Sequence, residues 1–189
     1  MSDPEIQSAE IVPPKRRVLI AVVDGEAGDL IGAWRQRHDP RQAARLPPHL
    51  TLCYQVPPVE PALLEQQTRH AFPRSISVQL GGVRQFENRE RTLYVDVHDT
   101  ETLDAARETL YDGTHLVLPR PFAWPWHITC IRDSRARDLD ALWLAARDLE
   151  PRLPWTIRAI AYLQLGADGY RPLAEWRVGE SHPPLGQER

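Results

Sequence analysis

Two stretches, Pro47-Pro48-His49-Leu50-Thr51 and Pro125-Trp126-His127-Ile128-Thr129, repeat one pattern: Pro-x-His-apolar-Thr. Apolar or β-favouring residues follow each copy, Leu52-Cys53-Tyr54 and Cys130-Ile131. Such stretches predict strands, on which successive side chains point to opposite faces. On a regular strand His49 and Thr51 share one face, with Leu50, Leu52 and Tyr54 on the other. In the second copy His127 and Thr129 share a face, with Ile128 and Cys130 behind. Chance supplies roughly 0.3 His-x-Thr pairs in a chain with this His and Thr content, so two copies with the same preceding proline and apolar centre form a repeat.

Working outward, Arg17 to Val23 is a continuous apolar run that fits a buried strand. Leu30, Ile31, Ala33 and Trp34 recur at helical spacing until Asp39-Pro40. Pro61 opens a second helix carrying Leu63, Leu64 and Phe72. Ser75 to Leu80 alternates, Gly81-Gly82 suggests a bulge, and Thr92 to Val97 alternates again after a polar loop. Asp99 is placed to cap a helix buried through Leu103, Ala106 and Leu110. After the second motif, a helix carries Leu139, Leu142, Trp143, Ala146 and Leu149 on one side. Thr156 to Leu165 reads as one long strand, turning at 166–169 into a partner from Ala174 to Val178.

The second half of this order follows the logic of the first. The expected fold is α+β, bilobal and pseudo-two-fold symmetric: two antiparallel-rich sheets face a central groove, with helices packed outside. One domain over 16–178 is expected, between a flexible leader (1–15) and a flexible tail (179–189).

Composition is that of an ordinary globular protein, 42% hydrophobic and 26% charged. A net charge of −3 excludes a global positive field, so any phosphate site must be local. Cys53 and Cys130 are too few for a disulfide framework and read as core thiols of a reducing compartment. No stretch has the length and hydropathy of a membrane span or signal segment, and a cytoplasmic monomer is expected.

Two opposed His/Thr pairs allow a defined chemistry. Cleaving a phosphodiester requires one group to take a proton from the attacking oxygen and another to give one to the leaving oxygen. Histidine can do either near neutral pH. Each threonine hydroxyl can donate to a non-bridging phosphate oxygen as negative charge builds there. His49, Thr51, His127 and Thr129 would thus supply base, acid and charge stabilisation without a metal or other cofactor. A zinc site is not signalled, because no paired-cysteine or His-Glu-x-x-His motif is present.

The two motifs, their 78-residue separation, the first apolar strand and the closing Tyr170-x-x-Leu173-x-x-Trp176-x-Val178 resemble the two-histidine (2H) phosphoesterase superfamily. The resemblance is to its 2′-5′ RNA ligase-like and cyclic phosphodiesterase branch, over roughly residues 16–178. It implies a bilobal α+β fold, metal-independent action on 2′,3′-cyclic phosphate RNA ends or 2′-5′ linkages, and catalytic roles for His49, Thr51, His127 and Thr129. Alternatives are a non-catalytic RNA- or nucleotide-binding module, and the same chemistry on a small cyclic nucleotide.

Further groove candidates are Tyr94, facing away from Leu93 and Val95 and able to stack on a base, and Trp126 and Phe122 as a base platform. Arg132 is a phosphate candidate only if a bulge or strand end turns it toward His127.

Overall fold

The computed structural model describes residues 16–87, 91–113, 116–118, 125–132, 139–147, 149 and 151–179. The expected leader, and the tail beyond Gly179, lie outside them. The chain runs β1 (Arg17–Val22), α1 (Gly25–His38), α2 (Pro40–Ala43), β2 (His49–Tyr54), α3 (Pro61–Ala71), β3 (Ile76–Gln85), β4 (Leu93–His98), α4 (Glu101–Tyr111), β5 (His127–Ile131), α5 (Leu139–Ala146), β6 (Pro154–Ile157), β7 (Ala159–Leu165) and β8 (Tyr170–Arg177).

Local chemistry sets the helix limits. α1 buries Ala27, Ile31 and Trp34 at spacings of four and three. It ends at Asp39, whose side chain accepts from the Gln42 N–H and so caps α2, with Pro40 at the first helical position. Pro61 likewise opens α3. Leu103, Ala106 and Leu110 are buried on α4 as expected. Its N-cap, however, is Thr100 rather than Asp99, which takes a left-handed turn (φ 57°) that Asp tolerates better than most residues.

All eight strands join one antiparallel sheet in the order β6-β3-β4-β5-β2-β1-β7-β8. The expected α+β architecture with two antiparallel halves is present, and the halves are fused. Four strands lie on each side of a seam between β5 and β2, where Leu50 opposite Ile128 is the one pair in register. The core lies between the helices and one face of the sheet: Leu19, Leu50, Leu80, Leu93 and Ile128 pack with Ile31, Leu64 and Leu103. Val18, Ile20, Ala161 and Leu163 form a smaller cluster on strands β1 and β7.

Three further expectations change. The long strand over 156–165 is two strands broken at Arg158, with β6 on β3 and β7 on β1. Those partners sit far apart in the strand order, yet one residue joins β6 to β7. Adjacent Cα atoms are about 3.8 Å apart, so the sheet must curl until its ends approach; the Val178 N–H donates to the Arg158 carbonyl at that junction. The lobes also do not coincide with the halves of the chain. β3 and β4, from the first half, join the second motif strand β5, whereas β7, from the second, pairs with β1. Finally, Trp143 is 37% exposed rather than core, while Ala146 and Leu149 are buried.

Candidate active site

Each motif strand begins with its histidine. The His49 Nδ1 lies 2.8 Å from the Pro47 carbonyl, and the His127 Nδ1 lies 2.9 Å from the Pro125 carbonyl. A carbonyl can only accept, so each Nδ1 carries the proton and each Nε2 is the basic nitrogen of the neutral ring. The repeated residue two positions before the histidine therefore fixes ring orientation and tautomer alike.

The register brings the two motifs together. In the antiparallel pairing centred on Leu50 and Ile128, His49 falls beside Thr129 and Thr51 beside His127. Each histidine is thus a neighbour of the other motif's threonine. All four side chains are half-buried and border one cavity of about 610 Å³.

The two imidazoles have different surroundings. His127 is held edge-on by Phe86 (4.9 Å between centroids) and Tyr94 (5.6 Å). Burial lowers its pKa, against the pull of the Pro125 carbonyl. His49 is pushed down further, to about 4. Burial is again the main cause, opposed by the Pro47 carbonyl, and the charges of Arg35, His127 and Arg132 add to the depression.

Two bulges decide what else reaches the groove. Between β1 and β2 the register shifts so that Leu52 is the extra residue, and between β4 and β5 Cys130 is. Each lies three positions past its histidine. Beyond the bulge the alternation is reversed. Tyr54 stands opposite Val18 on the face shared by His49 and Thr51, which lie opposite Val22 and Ile20. The expected placement of Tyr54 behind the motif is therefore overturned. Ile131 pairs with the core residue Leu93, so Arg132 comes to the His127 side and borders the cavity. The bulge that this arginine required is present.

Tyr94 lies on the groove side, opposite Thr129, but its ring is stacked under Phe86 (4.0 Å, 22°) and is only 8% exposed. Of these two stacked rings, Phe86 and not Tyr94 borders the cavity. Trp126 reaches the cavity but is no open platform. Its Nε1 donates to Asp104 at 2.9 Å, and the Arg107 guanidinium covers its ring at 4.3 Å. Phe122 lies outside the described residues. The two cysteines are buried, and burial raises their thiols to about 11 (Cys53) and about 12 (Cys130), which suits inert core groups.

Of the charge around the cavity, sequence reasoning reached only Arg132. Arg16, Arg35, Arg45, Arg107 and Arg132 all border it, and no carboxylate does among the described residues. In a chain of net charge −3 this is the local positive site that an anionic substrate requires. These arginines are scattered from residue 16 to 132, so no sequence run announces them. Among the described residues no three His, Cys, Asp or Glu side chains are grouped to hold a metal ion, and no helix is long and apolar enough to cross a membrane.

Comparison with solved structures finds the same fold. Escherichia coli LigT in apo form superposes with a TM-score of 0.59 at 20% identity, covering 89% of this chain and 100% of that one. LigT complexed with 3′-AMP gives 0.53 at 20% identity with the same coverage. The TT0787 protein of Thermus thermophilus gives 0.53 at 19% identity, covering 88% and 100%. No curated protein matches the sequence at a significant level. The family described as the 2′-5′ RNA ligase superfamily matches residues 23–169, which include both motifs and the strands that carry them. The chain belongs to the 2′-5′ RNA ligase superfamily, within the two-histidine phosphoesterases.

Proposed function

We propose that the protein is a metal-independent phosphodiesterase acting on 2′,3′-cyclic phosphate RNA ends or 2′-5′ linkages, with His49 and His127 as paired general acid and base. The observation that carries this reading is the matched pair of rings. Each is locked by an Nδ1–H bond to the carbonyl two residues before it, and each stands beside the other motif's threonine across the β2–β5 seam.

Burial makes both rings favour the neutral form. One can then accept the proton of an attacking water or hydroxyl. A bound phosphodiester brings negative charge against the other, which raises its proton affinity and supplies the acid. Thr51 and Thr129 donate to the non-bridging oxygens as charge develops on them. Arg132 adds a cation beside the same cavity. The proton transfers close without a metal ligand set. LigT, whose fold this chain shares, has been crystallised with 3′-AMP, a phosphomonoester of the kind such a reaction can leave. The cavity volume of about 610 Å³ favours a nucleotide or a short RNA end over a duplex.

The test is turnover of 2′,3′-cyclic mononucleotides, cyclic-phosphate oligonucleotides and 2′-5′-linked oligonucleotides with EDTA present. Hydrolysis by the wild type and its loss in His49→Ala and His127→Ala are expected. Wild-type turnover in both variants rules the reading out. Binding without turnover on every substrate would make the protein a recognition module.

A further inference from the structure

We infer that Arg35 is a buried phosphate-binding residue of this groove: it holds a phosphoryl group of the substrate from beneath the motif strands. The inference rests on the groove being a phosphoester site and adds a ligand contact outside both motifs.

Arg35 lies in the last turn of α1, which packs against β5, and is only 4% exposed. Its side chain nevertheless borders the cavity shared by His49, Thr51, His127 and Thr129. Its Nη2 donates to the Gln42 carbonyl at a long 3.4 Å, while Nε and Nη1 have no hydrogen-bond partner among the described residues. Asp39, also buried, attracts the guanidinium electrostatically but forms no ion pair with it among the described residues; its carboxylate accepts from the Gln42 N–H.

A guanidinium keeps its charge at any ordinary pH, and burying it without a partner is strongly unfavourable. Native proteins satisfy nearly all buried donors, so two open donors on one buried cation point to a missing acceptor. Arg35 borders the cavity, so the acceptor enters from there, the guanidinium turning toward it to present Nε and Nη1, which have almost no accessible surface of their own. A phosphoryl oxygen fits, since arginine matches phosphate in charge and in donor geometry. The influence of Arg35 on both His49 and Cys130 places its charge next to the motif strands. An arginine kept only to join α1 to α2 would have its donors used within the protein.

The experiment compares wild type, Arg35→Met and Arg35→Lys by thermal melting and calorimetric titration with inorganic phosphate, without substrate. Arg35→Met should melt at or above the wild-type temperature in phosphate-free buffer, because an uncompensated buried charge has been removed. It should also lose the phosphate-induced rise in Tm that the wild type shows. Arg35→Lys should stay folded and bind phosphate about tenfold more weakly, as the planar fork is lost. An unchanged phosphate response in either variant, or an Arg35→Met protein that unfolds without phosphate, overturns the assignment in favour of a structural arginine. A wild type that does not respond to phosphate overturns it too. Turnover is scored separately. If the wild type hydrolyses no cyclic phosphate but Arg35→Met abolishes its phosphate response, the proposed reaction falls and the anion site stands. The converse pattern removes Arg35 and leaves the reaction.

Discussion

Leu50 and Ile128 face each other across the seam of the sheet, both fully buried, and their pairing sets the spacing of the two His/Thr pairs. Each is the apolar centre of its motif. The residue between His and Thr anchors the strand in the core while its neighbours meet in the groove. Truncating it should therefore damage stability and geometry together. Leu50→Ala and Ile128→Ala should each cost about 2–5 kcal/mol, and Ile128→Val about 0.5–1.5 kcal/mol. Urea melts measure this. A loss below about 1 kcal/mol for both alanine variants would show that the seam is not tightly packed.

The paired histidines should behave as a unit. His49→Ala and His127→Ala should each lower kcat by about 10²–10⁴-fold, the range of general acid–base catalysis. The double variant should be little worse than the poorer single one. Multiplicative losses in single-turnover assays would show independent roles instead.

Threonine hydroxyls that act on developing charge should affect kcat more than KM. Thr51→Val and Thr129→Val should each reduce kcat by about 10²-fold, with Thr→Ser retaining most activity. A rise in KM alone would mark them as ground-state contacts.

The depressed imidazole pKa values make two statements about pH. For catalysis, kcat/KM reports the free enzyme, so its maximum should lie between about pH 4, set by His49, and the ordinary histidine value of about 6.5, below which His127 also falls. A maximum above about pH 8 in the kcat/KM profile would contradict both shifts.

For stability, both groups bind protons more readily in the unfolded chain. Their contribution is complete above about pH 6.5 and is lost as the pH falls toward about 4. Other carboxylates titrate in the same range, so the comparison is with a His49→Asn/His127→Asn variant. Its unfolding free energy should drop less between about pH 7 and about pH 4.5. An equal drop would show that the rings are solvated.

The motif strands, the helix at Pro61, the Gly81-Gly82 bulge and the buried face of α4 are all legible in the sequence, because periodicity, proline and glycine act locally. The bulges at Leu52 and Cys130 are not. No glycine or proline marks them, and a one-residue change of phase appears only when a partner strand is in place. That is why simple alternation puts Tyr54 on the wrong face and leaves Arg132 undecided. The break at Arg158 is hidden for a related reason: 156–165 keeps strand character throughout, and the division comes from having two different partners. Alternation does put Tyr94 on the correct side of its strand, but its cover by Phe86 depends on the β3–β4 pairing that brings the two rings together. Arg35 looks like any polar residue near a helix end until α1 is packed.

The crossing of β3 and β7 between the lobes also governs the order in which a growing chain can finish this site. β1 and β2, with the first His/Thr pair, are made early, but β1 is flanked on its other side by β7, which is made only after residue 158. During synthesis the first motif strand therefore belongs to an open sheet edge, the kind of edge that pairs with foreign strands. The groove is completed only after both motifs and the late strands are in place. An isolated first half would carry an intact Pro-x-His-apolar-Thr sequence and no working site.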